Sequence, residues 1–204
     1  MKSNLNQLLI ATNNVGKQKE IRSLLKNLPI ELITPAELGL NLNVNEDGTT
    51  YKENAAKKAT CFAEVSGLIS LADDTGLEVD ALGGAPGLFS ARYAPQFNAT
   101  DADRRAYLLE QLQSYSQPWK ARFRCVVAIV TPHGNLNFTE GICPGEVIPT
   151  ERGTHGFGYD PIFQISPLSK TMAELSMAQK NLLSHRALAI KEALPILVRL
   201  FGND

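Results

Sequence analysis

Short apolar runs alternate with amphipathic segments in the first part of the chain. Residues 7–11 are apolar and the polar triplet 12–14 follows them, which predicts a buried strand that ends in a turn. Apolar residues then recur at helical spacing until Pro29 ends the pattern, and 30–34 is the next predicted strand. This strand–helix–strand order predicts an α/β fold.

The remaining sequence continues this mixture and adds two segments rich in glycine. The stretch 68–72 is a predicted buried strand, which the acidic turn 73–76 follows at once. The runs 121–131 and 136–140 predict a hairpin. Loops are predicted for the Gly-rich segments 82–93 and 145–161, and helices for 50–66, for 100–113 and after Ser176 and Ser184, the last with a kink at Pro195.

Composition limits the class of protein. The chain has 204 residues, 44% hydrophobic and 20% charged, which predicts one large domain or two intimate lobes over 1–204 and excludes wholesale disorder. A net charge of −1 argues against a nucleic-acid partner, which needs a strongly basic face. The apolar start is too short for a signal peptide or a membrane span. Cys61, Cys125 and Cys143 form no C-x-x-C pair, which predicts reduced thiols in a cytoplasmic protein.

The turn after the first strand is a candidate phosphate site. Backbone N–H groups at a helix N-terminus favour anions, Gly16 permits their close approach, and Lys17 adds a positive charge. Thr12 and Asn14 are candidate donors to phosphate oxygens, although the turn lacks the Walker A pattern. On these residues alone, a polar helix cap with a solvated lysine is an equally good interpretation.

Two acidic segments are candidates for metal binding and proton transfer. Asp73 and Asp74 follow a buried strand, and because adjacent strand side chains point apart, one of them is expected to face a ligand. Glu46 lies in a second acidic segment. Mg²⁺ takes one or two protein carboxylates together with phosphate oxygens and water, so this set suffices for a phosphate-bound ion. The alternative is a pair of acidic capping turns.

The segment 153–161 combines three glycines with aromatic residues. Glycine lets the backbone approach a ligand, Phe157 and Tyr159 offer ring faces on which a base can stack, and Pro161 holds Asp160 extended, where it could bond a ribose or a base edge. A purely structural glycine–aromatic loop is the alternative.

Basic side chains elsewhere are candidates for base and phosphate contacts. Arg186 could donate twice to the O6 and N7 acceptors of a 6-oxopurine, and Lys58 and Lys180 could contact phosphate or base. An exposed His185-Arg186 pair and solvated lysines are the alternatives. The three histidines lack H-x-x-x-H spacing, which argues against a zinc site.

Seven stretches, in this order and over nearly the whole chain, resemble the inosine triphosphate pyrophosphatase family, which includes the dITP/XTP pyrophosphatases. They are Thr12-Asn13-Asn14-Val15-Gly16-Lys17, Glu53-Asn54-Ala55-Ala56-Lys57-Lys58-Ala59, Ala72-Asp73-Asp74-Thr75-Gly76-Leu77, Gly84-Ala85-Pro86-Gly87, Ser90-Ala91-Arg92-Tyr93, Gly156-Phe157-Gly158-Tyr159-Asp160-Pro161 and Ser184-His185-Arg186. Each stretch alone is a weak signal, whereas their shared order is specific.

The resemblance implies a Mg²⁺-dependent hydrolase that cuts ITP, dITP and XTP between the α and β phosphates. The products would be the nucleoside monophosphate and pyrophosphate, and the reaction would remove mutagenic precursors from the nucleotide pool. The implied fold is a long central mixed sheet with flanking helices that form two lobes around a substrate cleft. The implied assembly is a homodimer.

The resemblance also implies a role for each matching residue. Asp74 would accept a proton and, with Glu46, bind the metal, while Lys58 would neutralise phosphate charge and Thr75 would contact the substrate. The remaining substrate-binding residues would be Thr12, Asn13, Asn14, Val15, Gly16 and Lys17 for the triphosphate, Phe157, Gly158, Tyr159 and Asp160 for the nucleoside, and Lys180, His185 and Arg186 for the base.

Two other functions compete with this interpretation. One is a pyrophosphatase for other altered nucleotides, such as modified pyrimidine triphosphates, which a substrate panel would distinguish. The other is a regulator that binds a triphosphate without cleaving it. The acidic segments argue against a regulator, because a binding protein needs no base and fewer carboxylates beside a polyanion.

Overall fold

A seven-stranded mixed sheet runs through the protein, and the computed structural model describes residues 6–202. The strands are β1 (Gln7–Ile10), β2 (Glu31–Ile33), β3 (Ile69–Val79), β4 (Trp119–Val130), β5 (Leu136–Val147), β6 (Phe163–Ile165) and β7 (Lys170–Thr171). The helices are α1 (Val15–Leu25), α2 (Tyr51–Ser66), α3 (Asp101–Leu112), α4 (Met177–Leu183) and α5 (His185–Phe201). The strand order is β2-β1-β3-β4-β5-β6-β7. Within 6–202, no helix is long and apolar enough to cross a membrane.

The chain forms two compact units. Unit 1 contains the chain up to Asp74, residues 125–141 and the chain from Arg186 onward. Unit 2 contains 75–124 and 142–185. The prediction of one two-lobed domain over 1–204 stays a prediction.

In unit 1, strand β1 is buried on both faces. β1 pairs in parallel with β2 and with β3. Alternate residues of β1 enter different cores: Leu8 and Ile10 pack with α1 and α5, whereas Leu9 packs with α2. Because helices cover both faces of β1, Leu8, Leu9 and Ile10 are apolar in succession and do not alternate with polar residues.

Unit 2 has one hydrophobic core, and its strands alternate. Trp119, Ala121 and Phe123 of β4 enter this core, while Arg122 and Arg124 point to the other face. Helix α3 adds Leu108 and Leu112 to the core. β5, β6 and β7 pair in sequence, β5 with β6 and β6 with β7 antiparallel.

Two predicted boundaries are wrong, and both errors concern residues that usually end strands. β3 continues to Val79 through the predicted acidic turn, because Asp73 and Asp74 are buried with partners and remain in the ladder. β5 continues to Val147 through part of the second predicted loop. Gly145 belongs there because a Cβ at this position would overlap the Gln164 carbonyl of β6.

The helix signals are confirmed. Thr50 caps α2, and Gly67 ends it in a left-handed conformation with φ +68°. Thr100 and Asp103 form a capping box at the start of α3.

The three cysteines are free: Cys125 and Cys143 are buried, and Cys61 is half-buried.

Candidate active site

The turn between β1 and α1 is ordered by its own polar side chains. Asn14 caps α1 by accepting a hydrogen bond from the Lys17 N–H at 3.0 Å, and Thr12 Oγ1 accepts one from the Asn14 N–H at 3.2 Å. The first turn of α1 contains no acidic residue, so its positive end stays available to an anion. Val15 and the neighbouring Asn13 and Asn14 are exposed.

Asp73 lies at the centre of a buried ion cluster in unit 1. Its Oδ2 accepts hydrogen bonds from Arg186 Nη2 at 2.9 Å and Nε at 3.2 Å, and it lies 3.1 Å from Lys17 Nζ. The Arg186 guanidinium also donates from Nη1 to Glu20. Asp73 is 0% exposed and Arg186 1%, so this cluster fixes both Lys17 and the arginine.

Asp74 points to a different set of residues, as alternation along a strand requires. Its Oδ2 accepts a hydrogen bond from Asn54 Nδ2 at 3.1 Å, and its Oδ1 lies 3.8 Å from Lys58 Nζ. The same ammonium group donates to Glu46 Oε2 at 2.9 Å. Two carboxylates therefore converge on one lysine.

Burial and charge shift the ionisation of this group in opposite directions. Burial raises the pKa of Asp74 above its usual value and Glu46 adds to the shift, although Lys58 and Lys17 oppose it. Burial alone would lower the pKa of Lys58, but the neighbouring carboxylates raise it above its usual value. Lys58 thus stays charged, and Asp74 is a stronger base than an exposed aspartate.

The oxygen donors beside Lys58 fit a hard divalent cation. Glu46 and Asp74 supply two carboxylates, and Mg²⁺ uses one or two of these with phosphate oxygens and water. Among the described residues, no group of three or more His, Cys, Asp or Glu side chains is placed to hold a metal on its own. The residues present fit an ion whose shell is completed by phosphate oxygens and water.

The glycine–aromatic loop of unit 2 is ordered around Asp160. Asp160 Oδ2 accepts hydrogen bonds from the Phe157 N–H at 3.0 Å and from Lys180 Nζ at 2.9 Å. The Lys180 ammonium also lies 5.7 Å from the centroid of the Phe157 ring. Gly156 has φ +82°, and a Cβ there would overlap the Asp160 carboxylate. Asp160 is 4% exposed, so its carboxylate organises this loop.

Two aromatic contacts complete the unit 2 set. Tyr159 donates its hydroxyl hydrogen bond to the Ser90 carbonyl at 2.9 Å. His185, the first residue of α5, stacks on Phe123 with ring centroids 4.6 Å apart and an interplanar angle of 18°. Both Tyr159 and His185 are buried, so these rings are held in place by the core of unit 2.

The predicted site residues fall into two sets. Unit 1 contains 12–17, Glu46, Lys58, Asp74 and Arg186, and unit 2 contains Thr75, 157–160, Lys180 and His185. Contacts connect Lys17 to Arg186 through Asp73, Glu46 to Asp74 through Lys58, and Phe157 to Lys180 through Asp160.

Sequence reasoning missed two buried polar residues, Glu20 and Asn54, and it missed the structural role of Asp73. Glu20 and Asn54 are buried although they lie on helices with many charged neighbours. The available signal was their helical spacing from core residues, since Leu24 follows Glu20 by four positions and Phe62 follows Asn54 by eight.

The chain is similar in sequence to known proteins over nearly its whole length. The Ham1 family model matches residues 8–196, and the chain belongs to that family. It is 46% identical over 196 residues to a dITP/XTP pyrophosphatase of Desulforamulus reducens, and the matched region covers 96% of this chain and 97% of that protein. A dITP/XTP pyrophosphatase of Geobacter sulfurreducens is 44% identical over 189 residues, 91% of this chain and 94% of that protein.

Solved structures give the same result. A HAM1 protein from Coxiella burnetii matches with a TM-score of 0.84 at 38% identity, over 95% of this chain and 98% of that one. The Ham1 protein of Staphylococcus aureus matches with a TM-score of 0.81 at 37% identity, over 97% and 100%. The predicted mixed α/β fold with a central sheet and flanking helices is confirmed.

Proposed function

We propose that this chain hydrolyses ITP, dITP and XTP to the nucleoside monophosphate and pyrophosphate, and so removes altered purines from the nucleotide pool. The observation that carries the proposal is the group on β3 and α2: a buried carboxylate, Asp74, beside the charged Lys58 and Glu46. That combination suits a polyanionic substrate that must be cleaved by water. The names of the Desulforamulus and Geobacter relatives support the substrate class.

In the proposed reaction the residues of unit 1 handle the triphosphate. The α1 turn, with Thr12, Asn13, Asn14, Val15 and Gly16, presents its N–H groups to phosphate oxygens, and Lys17 and Lys58 offset their charge. Asp74 accepts a proton from the attacking water as the water oxygen bonds to the α phosphorus. The bond between the α phosphorus and the α–β bridging oxygen breaks, and pyrophosphate leaves with the electron pair of that bond.

Mg²⁺ is the proposed cofactor, with Glu46 and Asp74 as the residues that would hold it. When bound, such an ion neutralises phosphate charge and lowers the pKa of a bound water. In the metal-free chain, burial raises the pKa of Asp74 above its usual value.

Residues of unit 2 are proposed to recognise the nucleoside. The Phe157 ring would stack on the base, Gly158, Tyr159 and Asp160 would position it, and Thr75 would contact the substrate. Lys180 and His185, together with Arg186 of unit 1, would bind its polar edge.

Hydrogen-bond chemistry at O6 gives a reason for base selectivity. Inosine and xanthine present an acceptor at O6, whereas adenine presents an amino donor there. A buried donor left unmatched by ATP would cost about 1–3 kcal/mol, which reduces kcat/KM by about 5-fold to about 150-fold for each such group.

Pyrophosphate release from ITP, XTP, dITP, ATP, GTP and a modified pyrimidine triphosphate, with Mg²⁺ and with EDTA, tests the proposal. We expect metal-dependent release from the first three and slow release from the others. Equal rates on all of them would remove the base-recognition roles of His185 and Arg186. Binding of ITP without release would favour the regulator.

Two further features of the proposal concern the protein's state in the cell. We expect the enzyme to act in the cytoplasm, where nucleotide pools lie, and its three free cysteines suit a reducing compartment. We also expect a homodimer, as the family resemblance implies. Sedimentation equilibrium of the purified chain measures its mass in solution directly, and a mass near 22.2 kDa would refute the dimer.

A further inference from the structure

Helix α3 holds one residue of the glycine–aromatic loop from both sides. Asp101 Oδ2 accepts a hydrogen bond from the Gly158 N–H at 2.7 Å. Arg105, one helical turn further along α3, donates from Nη1 to the Gly158 carbonyl at 2.8 Å. The two side chains thus bind the peptide groups before and after Gly158. Each of them is 53 residues or more away from Gly158 in sequence.

The two side chains are themselves fixed. Arg105 donates from Nε and Nη2 to the two carboxylate oxygens of Glu151, at 2.8 and 3.0 Å, and its side chain is 12% exposed. Asp101 pairs with Arg104 and lies in the first turn of α3, directly after the capping residue Thr100. A planar guanidinium held at two atoms by a carboxylate presents its third donor in a defined direction.

The geometry of Gly158 explains what such a restraint accomplishes. This residue has φ +61°. Glycine can adopt many other backbone conformations as well, because it has no Cβ. Fixing the peptide groups before and after it removes that freedom. The first of these groups carries Phe157, and the second carries Tyr159, so the restraint sets the direction in which each ring leaves the backbone.

We propose that Asp101 and Arg105 are positioning residues for nucleoside recognition: by holding Gly158 they orient Phe157 for stacking on the base. This inference rests on the proposed function, because only a bound nucleoside makes the orientation of Phe157 consequential. Neither residue contacts the substrate in this scheme. They act through the loop backbone, so they affect substrate affinity more than the chemical step.

The test combines steady-state kinetics on ITP with hydrogen exchange of the substrate-free protein. In Asp101→Ala and Arg105→Met we expect KM to rise about tenfold, since each loses one charge-assisted hydrogen bond, while kcat stays within about threefold. Peptides that contain the Gly158 amide should exchange faster in Asp101→Ala. Asp101→Asn keeps an acceptor oxygen and should recover most of the affinity.

Two further variants separate positioning from a general loss of structure. Ala106→Gly weakens α3 at an exposed position directly after Arg105 and should leave the KM for ITP unchanged. The double variant Asp101→Ala/Arg105→Met should raise KM by less than the product of the single effects, because both residues restrain one glycine.

Several outcomes would overturn the inference. Unchanged KM in both single variants of an active enzyme would refute the positioning role alone, and so would an equal KM increase in Ala106→Gly. A fall in kcat at constant KM would show that the two residues act on the chemical step. A wild-type protein that releases no pyrophosphate from ITP would refute the proposed function and the recognition role together.

Discussion

The two units use their charged residues differently. In unit 1, Asp73, Asp74 and Arg186 lie buried beneath helices and satisfy one another or Lys58. In unit 2, carboxylates such as Asp160 bind backbone N–H groups and so shape a loop. In the proposed function, the first arrangement would face the charged triphosphate and the second would fix a surface for the planar base. Unit 1 should therefore respond most to changes of charge, and unit 2 to changes of backbone shape.

Substituting Asp73 and Asp74 of β3 one at a time should give the largest difference in effect between two variants. Asp74→Asn removes the proposed base and should lower kcat by about 10³-fold, within the range for loss of general base catalysis. Its fold should persist, because burial already disfavours the charged form of Asp74. Pyrophosphate release measures the first effect, and urea denaturation the second.

Asp73→Asn is the matched control for that experiment. This substitution removes the negative charge that Arg186 and Lys17 face, so we expect the loss of stability to exceed that of Asp74→Asn. If Asp73→Asn retained full stability while Asp74→Asn unfolded, the assignment of chemistry to one carboxylate and structure to the other would be reversed.

Truncating Arg186, the buried arginine of unit 1, should strongly lower the free energy of unfolding. Arg186→Met leaves Asp73 and Glu20 without their shared cation, and breaking a buried pair in this way costs about 3–5 kcal/mol. Arg122→Met in unit 2 is the control, because Arg122 is 39% exposed and its ion pairs are worth about 1 kcal/mol or less. Similar midpoints of urea unfolding for the two variants would refute the distinction.

The sequence predicts the fold well where local rules and burial agree. Thr50 and Gly67 mark the ends of α2 because capping chemistry is local. The end of β3 could not be predicted, since two aspartates in succession signal a turn unless distant partners neutralise them. Those partners, Lys58 of α2 and Arg186 of α5, lie outside the strand and reach it only in the folded chain.

The site shows the same limit. The motifs mark Lys17, Asp74 and Phe157 as candidates because each has a chemistry of its own. Which of Asp73 and Asp74 faces Lys58 depends on strand alternation across the sheet, which spacing alone does not give. The hold of α3 on Gly158 has no motif at all, because a backbone group is the target and any residue can present one.

Unit 2 offers a test of shape against charge at one glycine. Gly156→Ala adds a methyl group that would overlap Asp160, at φ +82°, and should cost about 1–3 kcal/mol and raise the KM for ITP. Gly134→Ala is the control, because Gly134 has φ +85° but its Cβ would meet no atom within 4 Å. The two variants share the backbone strain, so the difference in KM isolates the displaced carboxylate. Equal KM values would show that Asp160 does not organise the loop.

The smallest expected effect concerns pH, and its sign differs between the units. Burial raises the pKa of Glu78, but hydrogen bonds and charges from Arg124 and Arg122 lower it by more than burial raises it. The net pKa of Glu78 therefore lies below its usual value. A lowered carboxyl pKa stabilises the fold above the unfolded-state pKa of about 4.3, and this stabilisation is lost as the pH falls through the folded-state pKa. Glu78→Gln should therefore cost about 1 kcal/mol or less at pH 7, and the cost should vanish in acid.

Asp74 should show the opposite dependence, because its pKa is raised. Ionisation of Asp74 above about pH 3.9 costs the folded state free energy, so in EDTA Asp74→Asn should gain stability relative to wild type as the pH rises from 3 to 7. Urea denaturation of Glu78→Gln and Asp74→Asn at both pH values measures the two slopes. Slopes of the same sign would mean that burial in unit 1 does not outweigh the attraction of Lys58, and that the strength of Asp74 as a base must come from the bound substrate.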